Sequence, residues 1–253
     1  MSQTYSPRAL RASWDRQQNY LVVGREARFE ALVTILKVGT HVHPRILDLG
    51  CGTGAFSERI LREIPSARIW ALDYDPVLLR IARDGLPAPK DRLRWIDADL
   101  RSPSWTRSLP RGKWDAIVST TALHWLEPGP LARVYRSAAR LLRPGGLFLN
   151  GDHLPFDPPN PQLTRLLRRL RRLRRAREPP RGALNWEEWW AKTRRVAELA
   201  DEFAERDRRY PHEHADENVQ PVSWHLRALR ASGFRETTTI WQHFANRVVL
   251  AIR

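Results

Sequence analysis

At 253 residues and 42% hydrophobic content, the chain is long enough to bury a full core, and one domain with an insertion suits that length better than two equal domains. A single cysteine rules out an internal disulfide framework and fits a reducing, cytoplasmic setting. The first 18 residues lack the apolar core of a secretory leader, and no apolar run is long enough to cross a bilayer. The net charge of +15 points to an anionic partner, or to a surface that attracts one, yet only four of the 43 basic residues are lysines (Lys37, Lys90, Lys113 and Lys192), so the arginine bias pervades the chain.

Residues 1–44 read as a helical segment, in which Phe29, Leu32, Val33, Ile35 and Leu36 form an apolar face that Gly39 breaks. Strands and helices then alternate from 45 to 153. The first strand, Arg45-Ile46-Leu47-Asp48-Leu49, runs into Gly50-Cys51-Gly52-Thr53-Gly54, and helical spacing resumes at Ala55. Glycine lets the backbone bend sharply and lets a ligand approach without a Cβ in the way, and the helix that follows points its free N–H groups at the ligand. Strand, glycine turn and helix together predict a nucleotide-cofactor site. A second apolar strand over 69–72 ends at Asp73, and Pro76 opens a helix. A third, over 93–96, ends in Asp97-Ala98-Asp99-Leu100, and a fourth, over 114–119, leads to Ala122-Leu123-His124-Trp125-Leu126. A helix over 131–142 stops at Pro144-Gly145-Gly146, before a fifth strand over 147–150. Repeated strand–helix units imply a parallel sheet covered on both faces.

The alternation breaks over 154–219. This insertion holds a proline-rich turn (Pro155, Pro158, Pro159, Pro161), a run over 165–181 with nine arginines against Glu178 alone, and a tryptophan-rich acidic helix beginning near Trp186. Residues 220–253 complete the core with a helix over 222–232 and two antiparallel strands over 236–242 and 246–252. The expected fold is α/β: a doubly wound, mostly parallel seven-stranded sheet with helices on both faces, an antiparallel last strand, and a helical insertion between strands five and six.

Gly50-x-Gly52-x-x-Ala55 also satisfies the dinucleotide fingerprint, with Asp73 near the spacing of a ribose-binding acid. Three features favour S-adenosylmethionine instead. Asp48 closes the first strand, where an acid suits a cationic amine better than a pyrophosphate. The acidic end of the third strand can hold an adenine amino group. The chain also finishes in helix, strand, strand, where a dinucleotide domain continues into a separate catalytic domain.

With these pieces in order, the chain resembles the class I S-adenosylmethionine-dependent methyltransferases. Leu47-Asp48-Leu49-Gly50-Cys51-Gly52-Thr53-Gly54 is similar to the family's first motif, Ala71-Leu72-Asp73-Tyr74-Asp75-Pro76 to its second, and Leu141-Leu142-Arg143-Pro144-Gly145-Gly146 to the turn into its fifth strand. Ala122-Leu123-His124-Trp125-Leu126 is similar to the small-molecule branch around trans-aconitate methyltransferase. The resemblance implies that Gly50, Gly52 and Gly54 cradle the methionine part, with Asp48 placing its amine through a backbone or water contact. It implies that Asp73 binds the ribose hydroxyls, that Tyr74 packs on adenine, and that Asp99, or Asp97, meets the adenine amine. Cys51, Leu100 and Ser119 are the remaining cofactor contacts it implies.

Methyl transfer from a sulfonium is an in-line displacement with a good leaving group, so alignment and water exclusion carry most of the catalysis. A carboxylate acceptor needs no base, whereas an amine or hydroxyl often does. The candidate bases are His124 after the fourth strand and Asp152 and His153 after the fifth, and His124 reads equally as a packed wall residue. His212-Glu213-His214 lacks a fourth ligand at a useful spacing, so no metal is expected. Cys51, the only cysteine, sits in the cofactor loop, which argues against a cysteine nucleophile for pyrimidine carbon methylation.

Leu163, Leu166, Leu167, Leu170 and Leu173 recur at helical spacing within the arginine run. Two readings follow. In one, the run is a phosphate-tracking or anionic-lipid surface. In the other, the leucines pack the helix down as a substrate cap with Trp186, Trp189 and Trp190, and the acidic helix neutralises it. The expectation is the cap, and an enzyme moving a methyl group to an oxygen or nitrogen of a small anionic molecule. An RNA methyltransferase tracking phosphates with the 165–181 helix, and a non-catalytic S-adenosylmethionine-binding module docking an anionic partner, are the alternatives.

Overall fold

The computed structural model describes residues 5–89, 91–158, 160–175, 183–210 and 219–253. The first motif candidate for a metal, His212-Glu213-His214, lies outside them, as do Arg177 and Arg181 of the arginine run. In chain order come helices α1 (Pro7–Leu21) and α2 (Arg25–Gly39), strand β1 (Arg45–Leu49), α3 (Ala55–Glu63), β2 (Arg68–Asp73), α4 (Pro76–Gly85), β3 (Leu93–Asp97), β4 (Trp114–Thr120), α5 (Pro128–Leu141) and β5 (Leu142–His153). The insertion contributes α6 (Pro161–Arg175), α7 (Trp186–Thr193) and α8 (Ala200–Arg209). The chain then closes with α9 (Val222–Ala231), β6 (Glu236–His243) and β7 (Asn246–Ile252).

The seven strands form one sheet in the order β3-β2-β1-β4-β5-β7-β6. Every pairing from β3 to β5 is parallel, and β7 runs antiparallel between β5 and β6, as expected. Alternation along each strand splits the core into two layers. Leu47, Leu49, Leu72, Ile117 and Phe148 pack against α5 and α9, through Leu131, Val134, Tyr135, Ala138 and Leu229. Ile46, Ile69, Ala71, Ala116, Val118 and Leu149 pack against α2, α3 and α4, through Phe29, Leu32, Leu36, Phe56, Ile60 and Leu79. A third apolar cluster lies outside α4: Val77, Leu78 and Ile81 meet Trp14 of α1, Trp189 of α7 and Phe203 of α8. Helices α1, α7 and α8 therefore form one layer stacked outside α4.

Two elements differ from expectation. The N-terminal segment is two helices, because Gly24 at φ 76° turns the chain between them. The fifth strand starts at Leu142 and reaches His153, with a register irregularity between Trp114 and Ala116 of its neighbour, where Pro144-Gly145-Gly146 passes. Asp152 and His153 are thus strand residues rather than residues of the following loop.

Candidate active site

The order β3-β2-β1-β4-β5 reverses direction between β1 and β4, and in such sheets the ligand crevice lies beyond the carboxyl ends of the strands at this point. A cavity of about 260 Å³ opens there, close to the lower end of the range for small-molecule pockets. Its walls hold Gly50, Cys51 and Gly52 after β1, Asp73, Tyr74 and Asp75 after β2, Asp99 and Leu100 after β3, and Thr120, Thr121 and His124 after β4.

The glycine turn takes its shape from backbone conformation. Gly50 sits at φ 71°, and a Cβ there would stand 2.3 Å from the Ala122 Cβ; Gly54 sits at φ 78°, where a Cβ would meet the Trp95 ring at 2.5 Å. Only glycine lets β1 pass this close to the segment after β4 and lets α3 start where it does. At Gly52 a Cβ would find only Leu78, at 4.0 Å, so the space above that residue is open to a ligand. Helix α3 begins at the cavity, with Ala55 and Phe56 in its wall, and its first N–H groups have no partner within the helix.

Asp73 organises the turn. One carboxylate oxygen accepts the Gly52 N–H at 2.6 Å, and the other accepts the N–H groups of Tyr74 at 2.7 Å and Asp75 at 2.9 Å. Enclosure by protein pushes the carboxyl up to about 6, against those three hydrogen bonds, which favour the charged form. A carboxylate offers about four acceptor positions, so Asp73 keeps room for a hydroxyl at the cavity. Asp48, by contrast, does not line the cavity. It is fully buried beneath the turn, accepts the Ser57 hydroxyl at 2.7 Å, and burial pushes it up to about 7. Its Oδ1 has no partner among the described residues. Ser119 also stays out of the cavity: it is buried on β4 and donates to the Leu49 carbonyl at 2.7 Å, stitching β4 to β1. The neighbouring Thr120 and Thr121 line the wall in its place.

The two acids after β3 separate. Asp99 lines the cavity and binds Arg101, while Asp97 forms a two-pronged ion pair with Arg209 of α8 at 2.7 and 2.9 Å. The Tyr74 ring is flanked by Arg101 at 4.9 Å and Arg209 at 4.7 Å, with Tyr210 edge-on at 5.6 Å. From the insertion, Trp186, Trp190, Arg206 and Tyr210 reach the cavity, and Arg206 binds Asp75 at 2.7 Å while lying 3.9 Å over Trp190. From the N-terminal helices come Trp14, Gln18 and Arg25, the last held by Asp15 and Asn19. Arg25, Arg206 and Tyr210 carry no sequence signal, because nothing local distinguishes them from the many other arginines and tyrosines of surface helices.

At the opposite wall, His124 Nδ1 lies 2.7 Å from Asp152 Oδ1, and the His124 backbone N–H donates to the other Asp152 oxygen at 3.1 Å. Burial raises the Asp152 carboxyl, but His124 and the buried Arg28 guanidinium outweigh it and hold Asp152 below the ordinary value. Arg28, from α2, donates to the Thr121 hydroxyl, and Thr121 itself takes φ 54°, a strained conformation for a threonine at the cavity wall. Neither Asp152 nor His153 of β5 lines the cavity: Asp152 reaches it only through His124, and His153, the next residue along the strand, faces the opposite side of the sheet. Among the described residues no group of three His, Cys, Asp or Glu could hold a metal.

Fold and site together resemble one class, the class I, Rossmann-like S-adenosylmethionine-dependent methyltransferases, in the glycine turn that faces an acid at the tip of the second strand. Residues 46–146 match the family model described as a methyltransferase domain, a stretch that runs from β1 into β5. The chain is 31% identical over 151 residues to a trans-aconitate 2-methyltransferase of Azoarcus sp. (strain BH72), covering 60% of this chain and 55% of that protein. It is 32% identical over 109 residues to a malonyl-[acyl-carrier protein] O-methyltransferase of Paenibacillus sp. (strain JDR-2), covering 43% and 38%. The chain thus spans about half the length, or less, of these relatives. A magnesium protoporphyrin IX methyltransferase of Synechocystis PCC 6803, solved with bound SAH, shares the fold at a TM-score of 0.57 with 14% identity, covering 96% of this chain and 94% of that one.

Proposed function

We propose that this chain is an S-adenosylmethionine-dependent methyltransferase that moves a methyl group to an oxygen or nitrogen of a small anionic molecule. The observation that carries the reading is one cavity walled by both the Asp73–Gly52 turn and His124, the latter held from behind by the buried Asp152. When bound, the sulfonium donor supplies an electrophilic methyl group and a neutral thioether as leaving group.

The residues around it do the rest. Asp73 accepts a ribose hydroxyl, Tyr74 and Tyr210 border the adenine space, and Asp99 stands where an adenine amine is met. Asp152, kept ionised, fixes the proton of His124 on Nδ1. Nε2 is then the nitrogen that takes the proton released when an acceptor O–H or N–H is methylated. For a carboxylate acceptor no proton moves, and the same pair only positions and excludes water. Arg25, Arg101 and Arg206 line the cavity, and although each holds a carboxylate, a guanidinium has five donors to share with an anionic acceptor. We assign the substrate cap to the insertion, on the support that its Trp186, Trp190, Arg206 and Tyr210 line this space.

The RNA reading has less support, because no described side chain of the arginine helix α6 lines the cavity. The reading as a non-catalytic module leaves the buried, oriented His124–Asp152 pair without a use.

Titration calorimetry with S-adenosylmethionine, followed by a screen of small carboxylates for formation of S-adenosylhomocysteine, tests the proposal. Donor uptake with turnover of at least one acid is expected. No heat with this donor, but uptake of a nicotinamide dinucleotide, overturns it.

A further inference from the structure

Helix α6 is the motif that the site does not absorb. Its leucines cover one arc when placed at roughly 100° per residue. Leu163, Leu167 and Leu170 at the centre are half-buried, but Leu166 and Leu173, two turns apart on the edge of the same stripe, are 62% and 59% exposed. The apolar face is therefore wider than the surface it rests on, and the expected packing of the leucines as a closed cap is only half made.

The expected neutralisation is not made either. Arg165, Arg168, Arg169 and Arg172 are exposed and form no ion pair among the described residues. The acidic helix α8 gives its paired carboxylates to other arginines: Glu202 to Arg80, Glu205 to Arg208 and Arg209, and Asp207 to Arg194. A helix with an open leucine edge beside a row of unpaired guanidinium groups matches the chemistry of a lipid headgroup layer: phosphates for the arginines, the acyl boundary for the leucines. A phosphate polymer would satisfy the arginines alone. It would leave Leu166 and Leu173 in water, and no aromatic side chain interleaves α6 to stack on bases.

We propose that α6 is a peripheral docking surface for an anionic lipid bilayer, with the arginines contacting headgroup phosphates and Leu166 and Leu173 entering the interface. No described helix is long and apolar enough to cross a membrane, so the contact lies on the surface and depends on charge. Two exposed leucines make a shallow anchor, and screening governs the rest.

Co-sedimentation of the full chain tests this, using vesicles of one part phosphatidylglycerol to two parts phosphatidylcholine, with pure phosphatidylcholine as control. Binding to the anionic vesicles is expected at about 0.05 M salt, with release by about 0.5 M and none on the neutral ones. Replacing Arg165, Arg168, Arg169 and Arg172 with glutamine should weaken vesicle binding by about tenfold or more. L166S with L173S should weaken it by about threefold while leaving capture on a single-stranded RNA oligomer unchanged. Melting curves of both variants that match the parent attribute these losses to the surface. Three results overturn the proposal: equal binding to neutral and anionic vesicles, no binding at low salt, or a leucine variant with full vesicle affinity in a chain that prefers RNA or an acidic protein.

Discussion

The two halves of the cavity are built by different means. On the side of β1 and β2 the contacts are made by backbone: three N–H groups close on Asp73, and Gly50 and Gly54 sit where a Cβ would collide with Ala122 and Trp95. On the insertion side they are made by the ends of long side chains, Arg206 on Asp75, Arg209 on Asp97 and Arg80 on Glu202. A backbone cradle has one solution, so it tolerates little change. An arginine clamp on a half-exposed surface has many, and each pair contributes little by itself. The cofactor side should therefore fail abruptly under substitution and the insertion side gradually.

The His124–Asp152 pair gives the hardest test. His124→Ala, and more weakly Asp152→Asn, should lower kcat by about 10²- to 10⁴-fold for an acceptor that must lose a proton, with cofactor affinity held. Unchanged turnover on such an acceptor would remove the base and leave positioning alone. Next comes the cradle. Asp73→Ala should weaken S-adenosylhomocysteine binding by about 10²-fold or more in calorimetry, since it deletes a charged acceptor and releases the Gly52 N–H. A change of only a few fold would place Asp73 in loop support rather than ligand contact.

Acid should mimic that substitution. Because the Asp73 carboxyl titrates at about 6 in the free chain and its charged form is the one that accepts a ribose hydroxyl, cofactor affinity should fall as pH drops through 6, approaching about tenfold per pH unit. An affinity flat from neutral pH to well below 6 would contradict the role.

The clamp should respond mildly. Arg206→Gln removes the Asp75 pair and the contact over Trp190, and about a three- to tenfold loss in cofactor affinity is expected. A loss as large as that of Asp73→Ala would erase the distinction between the two sides.

The smallest effect concerns Asp48, whose carboxyl is raised from 3.8 to about 7 by burial. A group with a raised folded-state value supports stability at low pH and loses that support as pH rises through 7. Asp48→Asn should therefore stabilise the fold by on the order of 1 kcal/mol at pH 8 and by less at pH 5, read from chemical denaturation.

Most of the sheet was legible residue by residue. The strand ends Asp48, Asp73 and Asp97, the glycine turn and the closing strand pair stand where alternation and turn chemistry put them. The start of β5 is not legible in the sequence, because Pro144-Gly145-Gly146 reads as a stop and only pairing along β4 and β7 carries the strand through it. Within the site, Gly50, Cys51, Gly52, Asp73, Tyr74, Asp99, Leu100 and His124 line the cavity, whereas Asp48, Gly54, Ser119, Asp152 and His153 do not. A strand residue one position away points to the other face, and sequence spacing near a strand end does not say which face the ligand takes.

What the sequence determined by itself is the local grammar: period-two strands, left-handed glycine turns and acids at strand tips, all set by neighbours a few residues apart. What the tertiary structure decided is which distant side chains meet. Asp152 comes to His124 across 28 positions, Arg206 to Asp75 across 131, and Arg25 and Arg28 reach the site from a helix that precedes the sheet. The reason is physical: local geometry follows from torsional and hydrogen-bonding preferences of a few residues, while these meetings depend on how whole layers pack.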